Sequence, residues 1–223
     1  ETINFMSSEA KGLICVSITP ERARELELDI MVKDSNAVHG TNFTVSIDYV
    51  HDTTTGISAY DRAATVRAMA NKEAKPSDFA RPGHIFPLIA KKEGVLRRAG
   101  HTEATVDLMR LAGLKPIGVL CEIINEDGTM ARRDDLEEFA KKHDLKIITV
   151  KDLIAYRFKT DTLVNEVADA HLPTMYGDFR MKVYQNIVDG KEHLALIKGD
   201  WKDDDTILVR VHSECLTGDV FGS

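Results

Sequence analysis

Arg98-Ala99-Gly100-His101-Thr102 runs directly into a helix-forming stretch, a combination that suits an anion such as phosphate. A helix start offers unpaired backbone N–H groups and positive dipole character. Gly100 lets the backbone come close to the anion, Arg98 can clamp it, and Thr102 can donate a hydroxyl. His101 stands where it can face a ligand or a metal ion. An ordinary surface loop with a threonine cap would use the same residues, and spacing alone does not separate the two readings.

Glu122 interrupts an apolar run, Gly118 to Ile124 (GVLCEII). A carboxylate there must be paired, metal-bound or shifted in pKa, unless the strand end is wet. His84 lies in Arg81 to Pro87 (RPGHIFP), where two prolines and a glycine imply a stiff loop that could position a side chain or merely brace itself. Cys15 sits in Gly12 to Ile18 (GLICVSI), where a buried thiol acting as a small hydrophobe is the default. Thr53-Thr54-Thr55-Gly56 could form a second polar loop over a ligand. Arg210 to Cys215 (RVHSEC) crowds polar groups at a strand end, but one cysteine is too few for a zinc site. Glu137-Glu138 reads as a solvated helix face.

The elements that must carry these residues alternate between helix and strand. Strands are predicted at 12–18, 43–50, 118–124 and 146–150 from apolar runs or two-residue alternation. Helices are predicted after Thr19-Pro20, from Ser58 and Asp61 as a capping box to about Ala70, and from Thr102. The Thr102 helix should bury Ala104, Leu108, Leu111 and Ala112 on one face. A further helix is capped by Asp134 and Glu137, with Leu136, Phe139 and Ala140 inward. After Arg157 the pattern becomes β-rich, with a hairpin of 179–187 and 193–198 around an Asp189-Gly190 turn, then a strand at 206–212. The fold class is therefore α+β with αβ-like alternation: a mixed sheet flanked by helices, then the β-rich start of a second domain, with the boundary near 159–162.

Composition sets the outer limits. The 223 residues are 43% hydrophobic and 29% charged, ordinary for a globular protein. A formal net charge of -7 argues against a general nucleic-acid surface. No apolar run approaches the roughly 20 residues that a membrane-spanning helix needs. Cys15, Cys121 and Cys215 are odd in number and widely spaced, which points to a reducing, cytoplasmic compartment. The sequence opens on Glu1 and closes soon after a dense polar cluster, so further sequence is expected on both sides.

Taken together, 54–58 (TTGIS), Asp61-Arg62, 81–87 (RPGHIFP), 98–103 (RAGHTE) and 125–132 (NEDGTMAR) resemble the 3,4-dihydroxy-2-butanone 4-phosphate synthase family over roughly residues 1–157. From Leu172 onward, Leu172-Pro173-Thr174, Gly177-Asp178-Phe179 and 210–219 (RVHSECLTGD) are similar to the opening of GTP cyclohydrolase II. The order of the two resembles a bifunctional riboflavin-biosynthesis protein. That resemblance implies Mg²⁺-dependent (or Mn²⁺-dependent) conversion of D-ribulose 5-phosphate to 3,4-dihydroxy-2-butanone 4-phosphate and formate, by a homodimer. Arg98, Ala99, Gly100, His101, Thr102, Thr55 and Glu122 would bind substrate, and His101 would also ligate the metal. His84 and Glu122 would move protons, and Cys15 would line the pocket with them. In the second domain, Arg210, Val211, His212, Ser213 and Glu214 would bind GTP, and Cys215 would be one ligand of a Zn²⁺ site.

Two departures bear on these expectations. The family's acidic Arg-Glu-Asn-Glu-Gly-Asp type loop, which supplies a metal-binding glutamate, has no counterpart here, and neither does the Cys-x-Cys that would complete a zinc site with Cys215. Residues 1–160 thus read as an N-terminally incomplete synthase domain and 161–223 as a cyclohydrolase fragment without GTP hydrolysis of its own. The alternatives are GTP cyclohydrolase II activity of a longer bifunctional protein, or a non-catalytic module that binds sugar phosphates.

Overall fold

The computed structural model describes residues 1–32, 36 and 40–221. They divide into two compact units, one of Glu1–Leu163 with Ile187–Asp189, the other of Val164–Asn186 with the residues from Gly190 onward.

The first unit is built on a mixed sheet. Its centre is β1 (Cys15–Ile18), which pairs parallel with β4 (Phe79–Ile89) and antiparallel with β5 (Gly118–Leu120). On the outer side of β4 lie β2 (Asn42–Phe43) and β3 (Ile47–Tyr49), both antiparallel to it. Every residue of β1 is buried, as a strand covered on both faces must be. Val16, Ile18, Leu26, Ile47, Met69 and Ile85 are wholly enclosed in one core. Each such side chain contributes about 1.5–3 kcal/mol by leaving water.

Helices close over this sheet: α1 (Thr2–Phe5), α2 (Pro20–Glu25), α3 (Ala59–Ala70), α4 (His101–Leu111), α5 (Arg133–His143) and α6 (Val150–Thr160). The start of α2 is as the sequence predicts: Thr19 Oγ1 accepts from the Arg22 N–H and Pro20 occupies the first turn. Ser58 likewise caps α3 by accepting from the Asp61 N–H.

Several predicted elements differ. The 43–50 strand is split into β2 and β3: Thr44 still donates its N–H to the Pro87 carbonyl of β4, and the break falls at Val45-Ser46. The strand predicted at 118–124 ends at Leu120, leaving Glu122 half-buried at its edge. No strand forms at 146–150: Thr149 instead caps α6 by accepting from the Asp152 N–H, and Ile147 and Ile148 stay exposed. The face of α4 is also corrected. Leu108, Leu111 and Ala112 are exposed, and the buried residues are Thr102, Glu103, Ala104, Val106 and Asp107. Two carboxylates face inward there because fixed donors await them. At α5, Asp135 rather than Asp134 accepts from the Arg132 N–H, while Glu137 pairs with Arg133.

The second unit holds an antiparallel sheet of β6 (Val164–Thr174), β7 (Gly177–Asn186) and β8 (Glu192–Ile197). The hairpin with Gly190 in its turn matches the sequence reading, and Gly190 has φ +74°, a conformation that favours glycine. The third strand is not the predicted one. Residues 206–212 form no strand, and Leu208, Val209 and Val211 are exposed; β6 takes that place. A helix, α7 (Leu216–Phe221), ends the described chain.

Candidate active site

The RPGHIFP segment is not a loop. It lies within β4, but a register shift bulges it. Ile47 pairs with Ile85 while its neighbour Asp48 pairs with Ala80, so Arg81–His84 are extra residues opposite a single step of β3. A bulge re-aims side chains that a flat strand would fix. Here it wraps His84 around Asp48, whose Oδ1 accepts the His84 N–H at 2.8 Å and whose Oδ2 stands 2.6 Å from His84 Nδ1. Gly83 lies against the Ile47–Asp48 backbone, where a Cβ would overlap main-chain atoms.

A second loop closes over this pair. Gly56, with φ +88°, packs so tightly that a Cβ would overlap Asp48 Oδ2 and come 2.7 Å from His84 Nδ1. Asp61 holds the loop: its carboxylate accepts the Thr54 N–H at 3.2 Å, the Thr54 hydroxyl at 2.7 Å and the Gly56 N–H at 3.1 Å. The predicted capping box is therefore half present, since Asp61 serves the 54–56 loop instead of reaching back to cap Ser58. Those bonds, the Thr54 hydroxyl foremost, hold the Asp61 carboxyl below the usual carboxylate range against the opposing pull of its burial. Thr55, between the two anchored residues, is exposed.

Sheet register brings Glu122 and Cys15 to the same end. Cys15 pairs with Phe86 on one side and Leu120 on the other. Two residues before Cys15, the Leu13 N–H donates to Glu122 Oε2 at 3.0 Å, and His84 lies two residues before Phe86 on β4. Cys15 is 2% exposed. Burial pushes its thiol up to about 12, with the charge of Glu122 and then Cys121 adding to the effect. At neutral pH the Cys15 sulfur is a protonated thiol, not a nucleophile.

Arg98–Thr102 forms its own corner at the start of α4, which is capped by Gly100 and begins at His101. Arg98 is anchored: Nη1 donates to buried Glu103 at 2.6 Å and Nη2 to Thr41 at 2.9 Å. Ala99 and His101 are exposed. Thr102 is 1% exposed and its Oγ1 has no hydrogen-bond partner, a buried hydroxyl left with a donor to give. Gly100 sits where a Cβ would meet the Arg98 guanidinium.

In the second unit Arg210, Val211, His212, Ser213 and Glu214 are all exposed. His212 Nε2 lies 3.0 Å from both Asp219 oxygens, and the Cys215 N–H donates to Asp219 at 2.8 Å. Cys215 is exposed, and its thiol is drawn down chiefly by the Thr217 hydroxyl.

Residues 1–156 match the family model of 3,4-dihydroxy-2-butanone 4-phosphate synthase. The chain belongs to that family. Residues 165–223 match the model of GTP cyclohydrolase II. The riboflavin biosynthesis protein RibBA of Aquifex aeolicus is 60% identical over the full chain, as is that of Bacillus mycoides. The chain spans only 55% and 56% of these two relatives. Among solved structures, the two-domain synthase RibBX of A. baumannii is 50% identical, with a TM-score of 0.76 over 88% of this chain and 58% of that one. A synthase in complex with two magnesium ions is 45% identical, with a TM-score of 0.68 over 71% of this chain and 79% of that one.

The synthase residues described here do not by themselves build a metal site. No group of three or more His, Cys, Asp or Glu side chains converges in a metal-binding arrangement among the described residues. One exposed imidazole, His101, is a poor match for a hard cation that prefers carboxylate oxygens and water. Sequence reasoning missed Asp48 altogether and missed the positioning roles of Asp61 and Glu103. The first had a faint signal, as an acid continuing the polar alternates Thr44 and Ser46 along a short strand pair. The other two look like ordinary helix-start acids.

Proposed function

We propose that the first unit catalyses the conversion of D-ribulose 5-phosphate to 3,4-dihydroxy-2-butanone 4-phosphate and formate, a carbon–carbon lyase step of riboflavin biosynthesis. The observation that carries this reading is the placing of His84, Glu122 and Cys15 at one end of β1 in a chain of the synthase family.

Substrate and products balance without an oxidant or reductant, so the chemistry is proton transfer with loss of water, a carbon-skeleton shift, return of water and cleavage of one carbon as formate. His84, oriented by Asp48, is one of the two groups that move protons to and from the substrate. Glu122, held by the Leu13 N–H, handles protons on the opposite side of that strand end. Cys15 walls the site as a neutral thiol. The anchored Arg98, Ala99, the Gly100 backbone, His101 and the unpartnered Thr102 hydroxyl receive the phosphate, and Thr55 contacts substrate from the loop over His84. Glu122 also contacts the sugar.

A divalent cation, Mg²⁺ or Mn²⁺, enters this reading only by analogy with the relative crystallised with two magnesium ions; His101 is the one side chain proposed as its ligand, and alone it would not hold the ion. No step is assigned to it from the residues described. We assign residues 1–160 to the synthase domain and 161–223 to a cyclohydrolase II-like portion, where Arg210–Glu214 would meet GTP and Cys215 a Zn²⁺ ion only in a complete domain. The working form is a cytoplasmic homodimer, consistent with three free cysteines. The reading includes no nucleic-acid or membrane partner. No helix of the described residues is long and apolar enough to cross a membrane.

Formate release from D-ribulose 5-phosphate, measured with Mg²⁺, with Mn²⁺ and with a chelator, tests the proposal. Activity is expected with either metal and not with chelator, with a loss of about 100-fold or more in Glu122→Gln. Binding without turnover under every condition would instead favour a sugar-phosphate-binding module. Retained metal dependence in His101→Ala would remove His101 from the metal role.

A further inference from the structure

Arg157, on α6, lies one residue beyond the synthase family match, yet it is tied into the loop that carries Arg98. We infer that Arg157 is a positioning residue for the phosphate corner, acting through Asp107 and the turn at 94–96. This inference rests on the proposed role of Arg98–Thr102.

Two carboxylates on the inner face of α4, Glu103 and Asp107, stand one turn apart, 1% and 2% exposed. Each joins the 91–98 loop to a guanidinium. Glu103 accepts the Lys91 N–H at 3.0 Å and Arg98 Nη1 at 2.6 Å. Asp107 Oδ2 accepts the Val95 N–H at 2.8 Å and Arg157 Nη1 at 2.8 Å. The same Arg157 nitrogen donates to the Glu93 carbonyl at 2.8 Å, and Asp161 holds the other side of the guanidinium through Nε at 2.9 Å and Nη2 at 2.7 Å.

The turn passes this placement on. The Gly94 carbonyl accepts the Arg97 and Arg98 N–H groups at 3.0 and 3.1 Å. Gly94 itself, at φ +65°, lies so close to Asp107 that a Cβ would overlap the carboxylate. A small core of Val95, Ala104 and Leu153, with Val150 and Ile154 packed against it, docks α6 on the turn and on α4. It is separate from the main core, so the ion cluster carries much of the registration. Without Arg157, Asp107 keeps, among the described residues, the Val95 N–H and a distant Arg110 at 3.8 Å. A buried carboxylate so depleted of donors moves toward water, and the turn moves with it. Lysine restores charge but not the rigid fork that reaches three acceptors.

The test uses the full chain with Arg157→Lys and Arg157→Gln, following formate release with inorganic phosphate as competing ligand. KM for D-ribulose 5-phosphate should rise about fivefold or more, the phosphate inhibition constant in the same ratio, and kcat should stay within about twofold. Lysine should be milder than glutamine. Lower thermal stability with both constants unchanged would overturn the inference, as would a fall in kcat at constant KM. If these variants do not fold, Asp161→Asn loosens only one side of the guanidinium, and a KM rise of about twofold is expected; no rise overturns the inference. A wild-type chain that releases no formate marks failure of the proposed function. Direct titration with inorganic phosphate then decides: weaker affinity in Arg157→Lys supports the positioning role, and equal affinity ends it.

Discussion

His84 is held by Asp48 at two points, the backbone N–H at 2.8 Å from one carboxylate oxygen and ring Nδ1 at 2.6 Å from the other. A carboxylate beside Nδ1 keeps the proton on that nitrogen, which leaves Nε2 as the ring nitrogen able to accept a proton from substrate. Asp48→Asn preserves size and removes the charge. It should lower kcat for formate release by about 100-fold or more, the scale of general acid–base catalysis, with an unaltered thermal melt. Wild-type turnover in this variant would show that His84 orientation does not matter to the reaction.

Gly56 covers the same pair, and alanine there meets two obstacles. The φ of +88° is left-handed, and the new Cβ would overlap Asp48. Backbone strain alone costs about 1–2 kcal/mol, which urea denaturation would measure. Displacement of Asp48 should also lower activity. Because Gly56→Ala and Asp48→Asn act on one unit, the double variant should lose less than the product of the single losses. Multiplicative losses would mean that the two residues act independently.

The sequence displayed the chemistry-bearing segments more clearly than the geometry that uses them. Thr19-Pro20 and Ser58 start helices as read, because caps are local and a few residues specify them. His84 read as a loop residue because prolines argue against a strand, but the Ile47/Asp48 register shift lets β4 absorb Pro82 and Gly83 as a bulge. Leu108 and Leu111 have the spacing of a buried face, yet the donors at Lys91, Val95, Arg98 and Arg157 draw Glu103 and Asp107 inward instead. Those donors are distant in the chain, so helical periodicity could not reveal them. The 146–150 run is β-branched and apolar, and it forms no strand because Thr149 is needed as a cap.

Asp61 makes the 54–56 loop sensitive to acid. Its folded-state pKa is depressed, the Thr54 hydroxyl being the largest cause. The folded state therefore binds this proton less readily than the unfolded chain, whose value is near 3.8. The resulting stabilisation is present above that pH and is lost as pH falls through the folded value. Urea midpoints of wild type and Asp61→Asn should differ at pH 7 and converge on acidification. A difference independent of pH would assign the role of Asp61 to shape alone. Faster amide exchange at Gly56 in the variant at neutral pH would locate the effect in the loop.

Cys15 has the opposite dependence. Its folded pKa is raised from 9.0 to about 12, first by burial, then by the charge of Glu122 and by Cys121. Below pH 9 both folded and unfolded states hold the proton, and the full stability is present. As pH rises toward 12 the unfolded thiol ionises and the folded one does not, so stability falls, by at most about 1.4 kcal/mol per pH unit. Cys15→Ala removes this contribution, so the unfolding free energy of wild type should fall more steeply than that of the variant above pH 9. Parallel curves would show that Cys15 ionises as readily in the fold as outside it. Alkylation gives an independent check at pH 8. Iodoacetamide should modify exposed Cys215, whose thiol is drawn down by Thr217, well before Cys15. Rapid loss of Cys15 from the folded protein would contradict its place as a neutral wall of the site, because only the thiolate reacts.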